Sequence, residues 1–304
     1  MIFQTVPVPL LFAITVISHF LVCFSRAYFS KRISDSTGDY HLFAFILSLI
    51  CALMIFIIGG FSIEVSCFTL MCAVIFGILT MLHMILFSVA VNFGTLSYTT
   101  IINSSSIMMT SLSGFLFWGE DITAIQIAGI ILMLVCYILS TKTEELKNEV
   151  TLKWLLASVA LAIVTAVIGL CQKFHQESEY SNQITMFLVI TFITSAIFSF
   201  MLYLIEAKKQ KKYKLDNKEK LSRKKFILTV TVIILVNAVA LAFNNVINLY
   251  LSGEVNSAIF FPIVNGAGIL LNVMSSVVIF KEYLSVRQWI GVASGVSAVI
   301  LLCI

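Results

Sequence analysis

Glu120-Asp121-Ile122-Thr123-Ala124-Ile125-Gln126-Ile127-Ala128-Gly129 reads E-x-x-[ST]-x-x-Q-x-x-G. Glu282-Tyr283-Leu284-Ser285-Val286-Arg287-Gln288-Trp289-Ile290-Gly291 reads the same. The four matched residues recur at one displacement, 162 residues. A chain of 304 residues that repeats a pattern over about half its length is built from a duplicated unit. Both copies lie between long apolar runs, so the duplicated unit is a membrane one, and the combination points to a transporter.

Working outward, 60% of the residues are hydrophobic and only 11% are charged. A soluble domain carries about 25% charged residues, so this chain cannot cover a surface that faces water on all sides. A helix needs about 20 apolar residues to cross hydrocarbon, and its backbone groups must bond internally there. Ten runs fit that description, at 10–29, 42–60, 67–91, 95–118, 122–140, 153–174, 183–205, 226–250, 255–280 and 284–303. They are continuous rather than alternating, which favours helices over a barrel. The expected fold is all-α and integral to the membrane, with ten transmembrane helices.

Met1–Pro9 holds no Lys or Arg, and no small-residue cleavage site follows the first apolar run, so that run is read as a span and not a cleaved leader. The seven Cys lack metal-ligand spacing and read as small packing residues. The net charge of +4 comes from Lys208–Lys225, where nine Lys and Arg223 face only Asp216 and Glu219. This basic loop, 206–225, reads as a topological anchor beside the lipid bilayer, with headgroup attraction as the functional alternative. Nucleic acid is not needed to explain it. With ten spans, all of the 19 Lys and Arg except Lys173 fall on one side, which places the loop in the cytoplasm and both termini outside.

The polar stretch Thr141–Thr151 separates the halves, giving a first five-helix repeat at 1–145 and a second at 146–304. Five is odd, so the second repeat enters the membrane in the opposite sense. Inverted repeats of this kind enclose a substrate site at their interface in many secondary transporters. Arg26 and Lys173, 147 residues apart, are expected to end the first helix of each half. The 15-residue shortfall from 162 matches the extra length of the basic loop over its counterpart Phe61–Ser66.

On these residues the chain resembles the EamA family of the drug/metabolite transporter (DMT) superfamily, over practically its whole length. The resemblance rests on the motif standing duplicated at the head of two fifth-position helices. It implies two five-helix repeats, each with Glu, Ser/Thr, Gln and Gly around its last helix pair, in a multi-pass permease of the plasma membrane. It also implies Pro in the fourth helix of a repeat; Pro262 fits, while the first half has none there. Family members are thought to keep their termini in the cytoplasm, opposite to the basic-residue count.

Polar groups in lipid are costly and face a cavity or another helix. Asn103, Ser106, Thr110 and Ser113 share one face of the fourth span, and adding 162 gives Asn265, Gly268, Asn272 and Ser275 in the ninth. Two such stripes can line one cavity near the midplane, or they can glue helices together. His83 and Asn245 are also 162 apart, and Asn237, Asn244 and Asn248 share a neighbouring face of the eighth span. The candidate substrate contacts are therefore His83, Asn103, Ser106, Thr110, Asn244, Asn245, Asn265 and Asn272. Amides without charge suit a neutral or zwitterionic solute. His83 and His19 can alternatively carry protons, although a structural His is commoner.

Arg26, Lys173 and Pro262 are the candidate gating residues. Pro262 removes a backbone donor and can kink its helix, while Arg26 and Lys173 can gate opposite mouths or simply snorkel to the interface. Glu120 and Glu282 are expected to cap and orient the final helices. Gln126, Gln288, Gly129 and Gly291 read as packing residues, and Gly291-x-x-x-Gly295 permits close helix contact or a homodimer. No Asp or Glu lies deep within a span, which disfavours proton-coupled export of lipophilic cations. No G-x-x-x-x-G-K-[ST] loop occurs, and no cofactor or metal is called for. The expectation is a secondary transporter of a small polar metabolite such as an amino acid. An anion, phosphate or nucleotide-sugar permease is the alternative within transport, and a membrane-embedded enzyme, which lacks a plausible constellation here, is the alternative outside it.

Overall fold

A computed structural model of the chain describes residues 6–32, 37–93, 96–140, 151–210, 223–266 and 285–302. Among them are ten helices: α1 Val8–Arg32, α2 Thr37–Ile58, α3 Cys67–Phe93, α4 Leu96–Trp118, α5 Ala124–Ser140, α6 Leu152–Gln176, α7 Ile184–Gln210, α8 Arg223–Glu254, α9 Ser257–Gly266 and α10 Val286–Leu302. A single 3-10 turn, Ser181–Gln183, precedes α7. No strand occurs among the described residues. Five helices are long and apolar enough to cross a membrane, at Asp39–Ile58, Cys67–Phe87, Leu152–Gln176, Ser181–Lys208 and Leu228–Glu254. Shorter apolar stretches fall in α1, α5, α9 and α10.

The burial pattern is that of a chain solvated by lipid. Large apolar side chains stand exposed along the helices, such as Ile17, Leu53, Met71 and Leu116, while Ser48, Thr69, Ser158 and Ser199 are buried. In hydrocarbon there is no gain from hiding Leu from its surroundings, so small polar residues that allow close approach occupy the helix seams instead.

Two compact units emerge, each drawing on both halves of the sequence. The first comprises Met1–Met81 with Asn182–Asn248. Within it α2 packs along α7, and Phe76 of α3 meets Phe187 of α7 edge-on with ring centroids 5.4 Å apart. The Thr191 hydroxyl donates to the Ala73 carbonyl at 3.2 Å. Helix α8 docks on α1 through amides: Asn237 Nδ2 donates to Val22 O at 3.2 Å and to Ser25 Oγ, and Asn244 Nδ2 donates to Thr15 O at 3.0 Å.

The second unit comprises Leu82–Ser181 with Leu249–Ile304. Here α5 packs along α10, with Gly129 against Leu302 and the Ala298 carbonyl, and α4 packs along α6. Trp154 Nε1 donates to Thr99 Oγ1 at 2.9 Å, which fixes the register of α4 on α6. The domain boundary expected at 145/146 lies outside the described residues, as do 211–222 of the basic loop.

One helix end departs from expectation. Arg26 does not terminate α1, which runs six residues further to Arg32. Phe29 explains the extension: it is buried, and its ring stacks on Phe43 of α2 at 4.0 Å.

Candidate functional site

The motif residues around Glu120 build a densely bonded polar site in the second unit. Helix α4 stops at Gly119, whose φ of +65° is the left-handed conformation that glycine adopts without a Cβ penalty. The reversal folds Glu120 back, and its N–H donates to Gly114 O at 3.1 Å. Gly114 is required there, because a Cβ would overlap the Glu120 carboxylate and approach Ser257 Cβ to 2.8 Å.

That carboxylate has two partners. Glu120 Oε2 accepts the backbone N–H of Ser257, in the first turn of α9, at 2.7 Å. Glu120 Oε1 lies 2.7 Å from Lys173 Nζ on α6. Lys173 is only 2% exposed and makes a second contact, 2.8 Å, to Glu177 Oε1 one turn on. Asn256 reinforces the junction: its Oδ1 accepts from Ala258 N at 2.8 Å as the cap of α9, and its Nδ2 donates to Asp121 O at 3.0 Å. A negative group at a helix N-terminus meets unpaired N–H groups and the positive end of the dipole.

Three sequence expectations change here. Lys173 does not snorkel; it is buried and paired with carboxylates. Glu120 does cap a helix, but α9 rather than the α5 that follows it. Gln126 and Gln288 are more than packing residues, since each closes a capping box. Gln126 Oε1 accepts from Thr123 N at 3.1 Å while Thr123 Oγ1 accepts from Gln126 N at 3.2 Å. Gln288 and Ser285 repeat both bonds at 3.0 and 3.3 Å. The S/T-x-x-Q part of the motif is thus a helix-start device, reciprocal between N-cap and N3. Gly129 sits close against α10, and Gly291 and Gly295 are buried within the chain. Glu282 lies outside the described residues.

The expected substrate contacts divide between the units. Asn244 and Asn245 belong to the first, where Asn244 is buried on α1 and Asn245 Nδ2 bonds back to Leu241 O at 2.8 Å. His83, Asn103, Ser106, Thr110 and Asn265 belong to the second. His83 is half-buried with its ring stacked on Phe87, 6.4 Å between centroids. Asn103 Oδ1 accepts from Thr165 Oγ1 of α6 at 2.8 Å. Ser106 and Thr110 are buried, and the Thr110 hydroxyl donates to its own helix at Ser106 O and Ile107 O, both 3.1 Å. Asn265 is exposed, with Nδ2 donating to Phe261 O at 2.8 Å. Helix α9 continues through Pro262, which is buried. Asn272 lies outside the described residues, and of the Arg26 side chain nothing is described.

Reading the sequence missed Glu177, Asn256 and Ser257. Glu177 was open to detection, because a carboxylate four residues after a lysine shares its helix face. Asn256 before an apolar run is a helix-start signal. That Glu120 would reach across to them was not open to detection, since it depends on tertiary packing.

The model of the EamA-like transporter family matches residues 6–142. That family is part of the drug/metabolite transporter superfamily. With the apolar helices, the match identifies a multi-pass transmembrane protein of transporter type. A solved protein crystal structure superposes with a TM-score of 0.69 at 12% identity, covering 96% of this chain and 98% of its own. At that identity the likeness shows a shared fold alone. No curated protein matches the sequence.

Proposed function

We propose that the chain is a secondary transporter moving a small polar metabolite, such as an amino acid, across the plasma membrane. Two inverted five-helix repeats would present one site alternately to each side. The packing within the units supports the duplication: α2 lies on α7 and α5 on α10, so each of these helices meets its own repeat counterpart.

The observation that carries the reading is Asn265. It stands exposed eight residues into α9 from Ser257, about 12 Å along the helix axis. One amide N–H bonds its own helix, and the side-chain carbonyl and second N–H bond none of the described residues, so that they can meet a solute. An amide left in hydrocarbon would be costly, so such a group belongs on a wetted path. Asn103, partly buried in the same unit, offers a second amide. Lys173 already faces two carboxylates, which supports an uncharged or zwitterionic solute over a phosphate.

The test is uptake of an amino-acid panel into proteoliposomes. Asn265→Ala should lower uptake of the transported solute by roughly 5- to 30-fold, the loss of one or two hydrogen bonds. Membrane insertion and yield should not change. Unaltered uptake removes Asn265 from the site, and no uptake of any solute by the unmodified protein removes the transport reading.

A further inference from the structure

We propose that Glu177 is the reserve partner of Lys173, the carboxylate that keeps this buried cation paired when its bridge to Glu120 opens, and so sets how readily α6 parts from α9. The role assigned to the opening rests on the transport reading; the partner exchange itself does not.

The second unit contains two groups of elements that share one charge, in addition to the packing of α4 along α6 and of Gly169 against Phe261 of α9. In the first group, α9 is fastened to the α4–α5 connection twice, by Ser257 N–H on Glu120 Oε2 at 2.7 Å and by Asn256 Nδ2 on Asp121 O at 3.0 Å. In the second, Lys173 and Glu177 stand one turn apart on α6, with Nζ and Oε1 2.8 Å apart. Between the groups runs the Lys173–Glu120 bridge of 2.7 Å.

Suppose the groups separate. Glu120 keeps the Ser257 N–H and the positive end of α9. Lys173 keeps Glu177, because both ride on the same helix. Neither product holds an unpaired buried charge, which is the outcome that makes breaking an ordinary buried ion pair so unfavourable. The exposures agree with a reserve role: the Lys173 side chain is 2% exposed and that of Glu177 36%, so Glu177 stands at the edge toward which the cation would turn. A purely static brace needs only the Glu120 contact.

The experiment uses the full-length protein in nanodiscs, with its seven native cysteines replaced and spin labels at Phe174→Cys on α6 and Ile125→Cys on α5, both exposed positions. Electron–electron distance distributions report closed and open populations. Glu120→Gln should enlarge the open population. Glu177→Gln should shrink it roughly 5- to 10-fold, because opening then strands Lys173, and Glu177→Asp should restore most of it. Glu177 is partly exposed, so its variants test the idea even where Glu120→Gln folds poorly. An open population indifferent to Glu177→Gln overturns the proposal, as does a single closed distance in both the unmodified protein and Glu120→Gln. If the distances respond as stated while no solute is taken up, the partner exchange stands and the transport reading fails.

Discussion

Polar side chains hold helices together in both compact units, but on different plans. In the first unit Asn237 and Asn244 of α8 reach to backbone oxygens of α1, Val22 O and Thr15 O, and both are buried. These are neutral amides on fixed acceptors, and separating the helices would strip the Asn237 amide of its acceptors and leave Asn244 only the bond that its Oδ1 accepts from Asn248 Nδ2 at 3.1 Å. In the second unit α6 meets α9 where Gly169 packs on Phe261, and is tied to it through the Lys173–Glu120 charge pair, each end of which has another partner on its own side. The first arrangement resists separation; the second provides for it. A membrane chain can therefore use polar groups as glue in one place and as a latch in another, and what distinguishes them is whether the parted surfaces remain satisfied.

The sharpest way to break this comparison is to remove the cation. Lys173→Met leaves Glu120 and Glu177 facing each other with no positive group between them. It should destabilise the protein by about 1.5–3 kcal/mol, the loss of a charged hydrogen bond by a Glu120 that keeps only the Ser257 N–H, measured by denaturant unfolding in detergent micelles. Asn237→Ala should be milder, about 0.6–2 kcal/mol, because it removes neutral interhelical hydrogen bonds. Solute uptake per folded molecule should survive Asn237→Ala and fail in Lys173→Met. Equal stability losses at the two sites, or loss of uptake in well-folded Asn237→Ala, would erase the distinction between glue and latch.

How far the sequence reveals these features follows the range of the interactions. Helix positions were readable because apolar runs of about 20 residues have a length set by the bilayer; nine of the ten runs coincide with helices, and of the run 255–280 the described part, Ser257–Gly266, is helical. The duplicated motif was visible, and its Thr123–Gln126 and Ser285–Gln288 pairs are local capping boxes that spacing alone encodes. Lys173 and Glu120 were each singled out as well. Their meeting was not readable: they are far apart in sequence, and their contact depends on the turn at Gly119 and the space left by Gly114. The same holds for Arg26. Its helix continues because of one ring stack, Phe29 on Phe43, that no local pattern announces.

The smallest expected effect separates the local from the tertiary part of the motif. Thr123→Ala and Ser285→Ala each remove an N-cap hydroxyl from a helix of 17 residues, α5 and α10. Each should lower stability by about 0.5–2 kcal/mol, and by similar amounts, because the two boxes have the same geometry. Helices α5 and α10 pack on each other, so if fraying at one start loosens the shared seam, the double variant will depart from additivity. Strict additivity would instead confine each box to its own first turn. In either case the distance distribution between the α6 and α5 labels should stay as in the otherwise unmodified protein, because no latch bond involves these hydroxyls. A shift in that distribution would mean that the capping and latching halves of the motif act as one device, and that Glu120 is positioned by the start of α5 as well as by the end of α4.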